Sequence, residues 1–230
     1  MIKKIVLFIA IICIVSSSKA QDAKAIIRQC NLIYATIKDY SCSINLVFDI
    51  PGLNIGNIDG NVFFKKPNKF RIKTKGIAFL PKQNPNQIPQ IMADTTNFMP
   101  LYTGKETINN QTVNVIQMVP LKDNDVVAAK FYINTKGQIL KAQISTKENG
   151  TSDINNTYDD KVSTKLPSAS VISFDMKKFK VPKMVAVDIN SKATKKIIDN
   201  NKTTGSVTMK FTGYKFNQNI PDSEFVEAKL

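Results

Sequence analysis

The spacing of apolar positions changes period once, near residue 39. From residue 23 to about 38, Ile26, Ile27, Cys30, Ile33, Tyr34 and Ile37 recur at steps of three and four. That spacing places them on one face of a helix. From Tyr40 onward the period falls to two: Tyr40, Cys42, Ile44, Leu46 and Phe48 alternate with Ser41, Ser43 and Asn45. This predicts a strand with one apolar face. A turn-rich stretch, Pro51-Gly52 through Asp59-Gly60, separates it from a hairpin of strands at 61–66 and 70–75, joined across Pro67-Asn68. A second hairpin pairs 129–133 with 139–146 around the turn from Asn134 to Gly137. Further strands are predicted at 112–119, 171–174 and 207–216, with Gly213 as a bulge before Tyr214 and Phe216. Short helical pieces are expected near 191–199. No linker and no internal repeat interrupts the series, so the expected architecture is a single α+β domain. Its strongly curved antiparallel sheet has a concave face too large for one helix to cover.

Residues 77–101 are the expected additional cover. The stretch holds four of the ten prolines, Pro81, Pro85, Pro89 and Pro100, which keep it out of the interior of a sheet. It also holds Phe79, Leu80, Ile88, Ile91, Met92, Phe98 and Met99, too apolar a set for a freely solvated loop. Two readings stand side by side: a flap over an apolar cavity, and a long loop packed on the core.

Composition narrows the chemistry. The chain has 230 residues and neither histidine nor tryptophan. A Ser-His-Asp triad, a Cys-His pair, an imidazole base and a histidine metal ligand are therefore all excluded. Apolar residues make up 43%, enough to build a core. Lys3 and Lys4 precede an apolar run from Ile5 to Val15, followed by Ser18-Lys19-Ala20. This reads as a secretory signal over residues 1–20, with the domain beginning at residue 21. Eleven apolar residues are too few to span roughly 30 Å of hydrocarbon. Cleavage removes three lysines and no acid, which lowers the net charge from +14 to +11. Export and the lack of any nucleic-acid motif argue against nucleic acid as partner. Two cysteines then remain, Cys30 and Cys42, both expected at the helix–strand interface. A disulfide between them and two buried thiols are equally compatible with that placement. The carboxylate pairs Asp159-Asp160 and Asp123/Asp125 lack the oxygen spacing of a calcium loop. Neither a metal nor a cofactor is expected.

The segment Gly60-Asn61-Val62-Phe63-Phe64-Lys65-Lys66-Pro67-Asn68-Lys69-Phe70-Arg71 resembles the LolA-like family of periplasmic lipoprotein carriers. The order Cys30, Tyr34, Tyr40-Ser41, Ile44 before it is similar too, as is the ending from Tyr214 to Phe225. The family's Gly-x-x-aromatic-Trp/Phe-x-Tyr segment is not reproduced at Met92–Phe98, and the proline-rich insertion is atypical. The resemblance implies an incomplete β-barrel covered by the N-terminal helix and a lid loop, around an apolar cavity for acyl chains. On that basis the ligand-binding residues would be Ile44, Leu46, Phe48, Phe70, Ile72, Phe79, Leu80, Met92, Phe98 and Met99. Lys66 would be the gate residue that tethers the lid. The implied partners are acyl chains of a lipoprotein or lipid, an inner-membrane release complex and an outer-membrane acceptor. The implied protein is a periplasmic monomer that binds and does not catalyse. A lipid-responsive sensor of the same fold is the alternative, and a carboxylate-based hydrolase the weakest reading.

Overall fold

The computed structural model describes residues 22–51, 55–74, 87–177 and 203–226. Helix α1 (Ala23–Ala35) starts at Asp22, whose carboxylate accepts the Lys24 N–H at 2.9 Å and so satisfies an otherwise orphaned donor. Ten strands follow: β1 (Asp39–Asp49), β2 (Ile58–Lys65), β3 (Lys69–Thr74), β4 (Phe98–Ile108), β5 (Gln111–Pro120), β6 (Val126–Asn134), β7 (Ile139–Thr146), β8 (Gly150–Thr157), β9 (Ala169–Asp175) and β10 (Thr204–Phe216). A short helix α2 (Gln87–Ala93) lies between β3 and β4, and a 3₁₀ turn (Asp222–Phe225) follows β10.

All ten strands form one antiparallel sheet in the order β3-β2-β1-β10-β9-β8-β7-β6-β5-β4. The last strand pairs with the first, and among the described residues β3 and β4 are the edge strands, which do not pair with each other, so the sheet is open. This is the α+β architecture expected from the sequence, with more strands than the periodicity displays. The contacts of α1 show how far the sheet curls. Near one edge, the Lys66 ammonium after β2 donates to the Tyr34 and Ala35 carbonyls at 2.8 and 3.0 Å. Toward the other, the β6–β7 turn meets the same helix, with Gln29 Nε2 donating to the Thr135 carbonyl at 2.9 Å. A 13-residue helix reaches both only because the sheet wraps around it.

Gly137 makes that second contact possible. Its φ is +79°, and a Cβ there would stand 3.2 Å from Ile33 Cδ1 and 3.3 Å from the Gln29 carbonyl. Gly137→Ala is expected to cost about 1–3 kcal/mol through left-handed strain alone, more if the helix is pushed away. A urea unfolding midpoint measures it.

The core lies on the concave face. Alternation along β1 sends Tyr40, Cys42, Ile44 and Leu46 inward, as expected. On β10, Val207, Met209 and Phe211 face the core, and then Tyr214 and Phe216 do so three and five residues on. The bulge restores the face. Ser41 and Ser43 of β1 oppose Lys215 and Thr212, so Gly213 and Tyr214 together oppose Cys42. Gly213, at φ +64°, supplies the left-handed residue that such a bulge requires.

Two strands differ from the sequence expectation. β4 takes in Phe98–Leu101, the end of the expected flap, and contains Pro100. An edge strand tolerates proline because one side of its backbone needs no partner. β8 reads Gly-Thr-Ser-Asp-Ile-Asn-Asn-Thr and has one large apolar residue, Ile154, so no alternation marks it. The expected helical pieces at 191–199 and the signal segment lie outside the described residues.

The chain after β10 is strapped to the outside of the sheet's start. The buried carboxylate of Asp39 accepts the Gln218 and Asn219 N–H groups at 2.8 and 3.1 Å. Asn217 and Asn219 take positive φ, which asparagine tolerates better than most residues. Further on, Asp222 accepts from Lys65 at 2.8 Å and Lys69 at 2.6 Å, Lys73 pairs with Glu224, and Arg71 donates to the Val226 carbonyl. Arg71 thus turns to the outer face, as its position in the alternation requires.

The Lys65 and Lys69 ammonium groups hold the Asp222 carboxyl down at about 2. A carboxylate with a depressed folded value contributes fully above its unfolded value and loses the contribution as pH falls through the folded one. The strap is therefore expected to stay docked above about pH 4 and to loosen between there and about pH 2. Amide chemical shifts of residues 222–226 followed against pH would show it.

Candidate functional site

Between α1, α2 and the β2–β3 hairpin the fold encloses a cavity of about 330 Å³. This is at the small end of ligand pockets, which run roughly 300–1,000 Å³. Its wall is apolar along Val62 and Phe64 of β2, Phe70 and Ile72 of β3, Met209 and Phe211 of β10 and Ile88 of α2. Tyr40, which stacks on Phe64 at 5.1 Å and meets Tyr214 edge-on at 5.8 Å, continues the wall toward the helix.

The lining also includes the polar residues Tyr34, Asn156, Ser170 and Tyr214, and Lys66, whose ammonium meets the end of α1. Most of these groups are already committed to the protein. Asn156 Nδ2 donates to the Ile139 carbonyl at 2.8 Å, and Ser170 Oγ donates to Asn156 Oδ1 at 2.7 Å. Tyr214 donates to the Pro167 carbonyl at 2.8 Å, and the Tyr34 and Tyr158 hydroxyls hydrogen-bond each other. Burial pushes the phenols of Tyr34, Tyr40, Tyr158 and Tyr214 above their ordinary range, so all four stay neutral.

Of the residues expected from the sequence to bind ligand, Phe70, Ile72 and Lys66 line the cavity. Ile44 and Leu46 face inward but are sealed in the core at 2% and 0% exposure, leaving no surface for a ligand. Phe48 is half-buried against the same core and is not part of the cavity wall. Met92 and Phe98, at 0% and 3%, also fill the core and do not form a lid surface. Met99 alternates with Phe98 on the edge strand and faces outward, 44% exposed. Phe79 and Leu80 lie outside the described residues. Of the expected flap, residues 87–101 are described, and within them α2 contributes Ile88, Pro89, Gln90 and Ala93 to the cavity border while Ile91 and Met92 anchor it. The spacing of Ile88, Ile91 and Met92 is the signal for that helix, masked by Pro89 in its first turn. Lys66, expected to tether a lid, donates to the carbonyls at the C-terminal end of α1.

The sulfurs correct one candidate. Cys30 and Cys42 are free and buried, so the bridge is not formed and the alternative of two buried thiols holds. Burial pushes both thiols up to about 12, and the Tyr214 hydroxyl lies against Cys42. Neither is a nucleophile at neutral pH, since reactivity requires the thiolate. Unfolding the protein cleaved after residue 20 without reductant is expected to expose two labelable thiols, Cys30 and Cys42, and the folded protein to label slowly. Fewer than two in the unfolded chain would contradict the free-thiol state.

No family model and no curated protein matches the sequence. Solved structures do resemble it. A LolA superfamily protein from Nitrosomonas europaea superposes with a TM-score of 0.58 at 11% identity, over 89% of this chain and 97% of that one. A DUF1329 family protein from Desulfovibrio piger gives 0.58 at 10%, with the same coverage. A domain named for outer-membrane lipoprotein sorting, from Vibrio parahaemolyticus, gives 0.51 at 9%, again over 89% and 97%. The chain has the LolA-like fold, an open ten-stranded antiparallel sheet curled around an N-terminal helix, as the resemblance at residues 60–71 implied.

Proposed function

We propose that this is an exported protein of the cell envelope that holds an acyl chain of a lipid or lipoprotein in the cavity between α1, α2 and the β2–β3 hairpin. The observation that carries this reading is the cavity wall, with aromatic and aliphatic side chains along one side and no carboxylate among the described lining residues. Such a wall rewards burial of hydrocarbon at about 0.8 kcal/mol per CH₂, so ten methylenes contribute roughly 8 kcal/mol before the cost of association. Its Ser170 and Tyr214 hydroxyls donate to Asn156 and to the Pro167 carbonyl, and no carboxylate or histidine stands beside them among the described lining residues, which favours binding over hydrolysis. The LolA superfamily and lipoprotein-sorting structures that share the fold support the same class of ligand, and a signal-like N-terminus supports the periplasm as its place. A carrier role, taking cargo from an inner-membrane complex and passing it to an outer-membrane acceptor, fits a partly open apolar cavity of this kind.

Native mass spectrometry of the protein purified gently from its own envelope fraction tests this. The expected spectrum contains an adduct of lipid mass. A clean apo mass, together with no uptake of a fluorescent fatty acid, would overturn the proposal.

A further inference from the structure

Among the described residues that line the cavity, Lys66 alone carries a charge. Its neighbours on the same hairpin have carboxylate partners: Lys65 and Lys69 share Asp222, and Lys73 pairs with Glu224, all on the outer face. Lys66 points the other way, and among the described residues no carboxylate pairs with it. An ammonium has three N–H donors. Two are taken by the Tyr34 and Ala35 carbonyls at the end of α1, which hold the group in place and leave one donor. Those carbonyls supply only partial negative charge. The other polar groups of the cavity bond largely to one another or to backbone carbonyls, so a ligand entering along Phe64, Phe70 and Ile72 meets one fixed, uncompensated cation.

We infer that the cavity is built for a single-chain amphiphile with an anionic head, a carboxylate or a phosphate monoester, whose oxygen accepts the remaining Lys66 N–H. The volume agrees, since about 330 Å³ suits one chain better than a bundle of two or three. The inference rests on the acyl-chain reading of the cavity and adds to it the chemistry of the head.

The test is competition between dodecanoate, dodecyl phosphate and dodecanol for the full-length exported protein, read by displacement of the neutral fluorophore N-phenyl-1-naphthylamine. A charge-assisted hydrogen bond in a partly enclosed site predicts that both anions bind about tenfold or more tighter than the alcohol. Lys66→Gln is expected to bring that ratio within about twofold of unity, and Lys66→Arg to preserve it. In the unmodified protein, which needs no variant to fold, lowering the pH until dodecanoate is protonated should collapse its advantage over dodecanol. Equal affinity of acid and alcohol in the unmodified protein overturns the headgroup inference and leaves the acyl-chain reading standing. A ratio that survives in Lys66→Gln overturns the assignment to Lys66. Failure of all three to displace the fluorophore overturns the acyl-chain reading itself.

Discussion

Ile72→Asp is expected to abolish acyl-chain uptake, with affinity for a neutral chain such as dodecanol falling at least about a hundredfold while the protein stays folded. Ile72 stands opposite Val62 in the β2–β3 hairpin and lines the cavity on an edge strand. A carboxylate there keeps its hydration in the empty protein, because the residue is half-buried and the edge is accessible. A bound chain would strip that water and supply no partner. Leaving a buried polar group unpaired costs a few kcal/mol, and an unpaired charge costs more. Since 1.4 kcal/mol is a factor of ten, a hundredfold loss is the lower bound. Ile72→Val, which trims one methylene from the same wall, should stay within about tenfold of the unmodified protein. Unchanged uptake in Ile72→Asp would place the lipid somewhere other than this cavity.

Phe131→Ala is expected to cost about 3–5 kcal/mol of stability. Phe131 is fully buried on β6, paired with Ile116 and Ala142 on the flanking strands, and belongs to the central core cluster. Its removal takes away a large apolar contact area and leaves a void that the sheet, braced by strands on both sides, closes only in part. Phe131→Leu should lose less than half as much, because most of the volume remains. Chemical denaturation with the slope held constant measures both. Since Phe131 does not border the cavity, the folded fraction of either variant should bind lipid normally. A loss under about 1 kcal/mol would mean that the core at β6 rearranges far more freely than the burial pattern indicates.

The two variants separate parts of the chain that look alike in sequence. Ile72 and Ile44 both sit on alternating apolar strand faces, and both were expected to meet the ligand. Only Ile72 does. Alternation tells which face of a strand points inward. It does not tell whether the inward space is filled by protein or left open, because that depends on which elements from distant parts of the chain arrive there. Leu46 and Met92 are sealed in the core, whereas Phe64, Phe70 and Ile72 border the space near the C-terminal end of α1. Asn156 and Ser170 carried no signal at all. β8 has little apolar alternation, Ser170 lies just outside the strand predicted at 171–174, and their roles arise from a hydrogen bond between β8 and β9 that no local pattern encodes.

The sequence alone determined the helix, the first strand, both hairpins and the Gly213 bulge, because period, turn residues and backbone constraints are local properties. It also excluded histidine chemistry, and the run at residues 60–71 pointed to the fold. The tertiary structure decided the rest. It turned part of the flap into a helix, put Pro100 on an edge strand and left Cys30 and Cys42 unbridged. It also set Lys66 against the end of α1. Each of these depends on which surfaces meet once the sheet curls, and that curvature is a property of ten strands acting together.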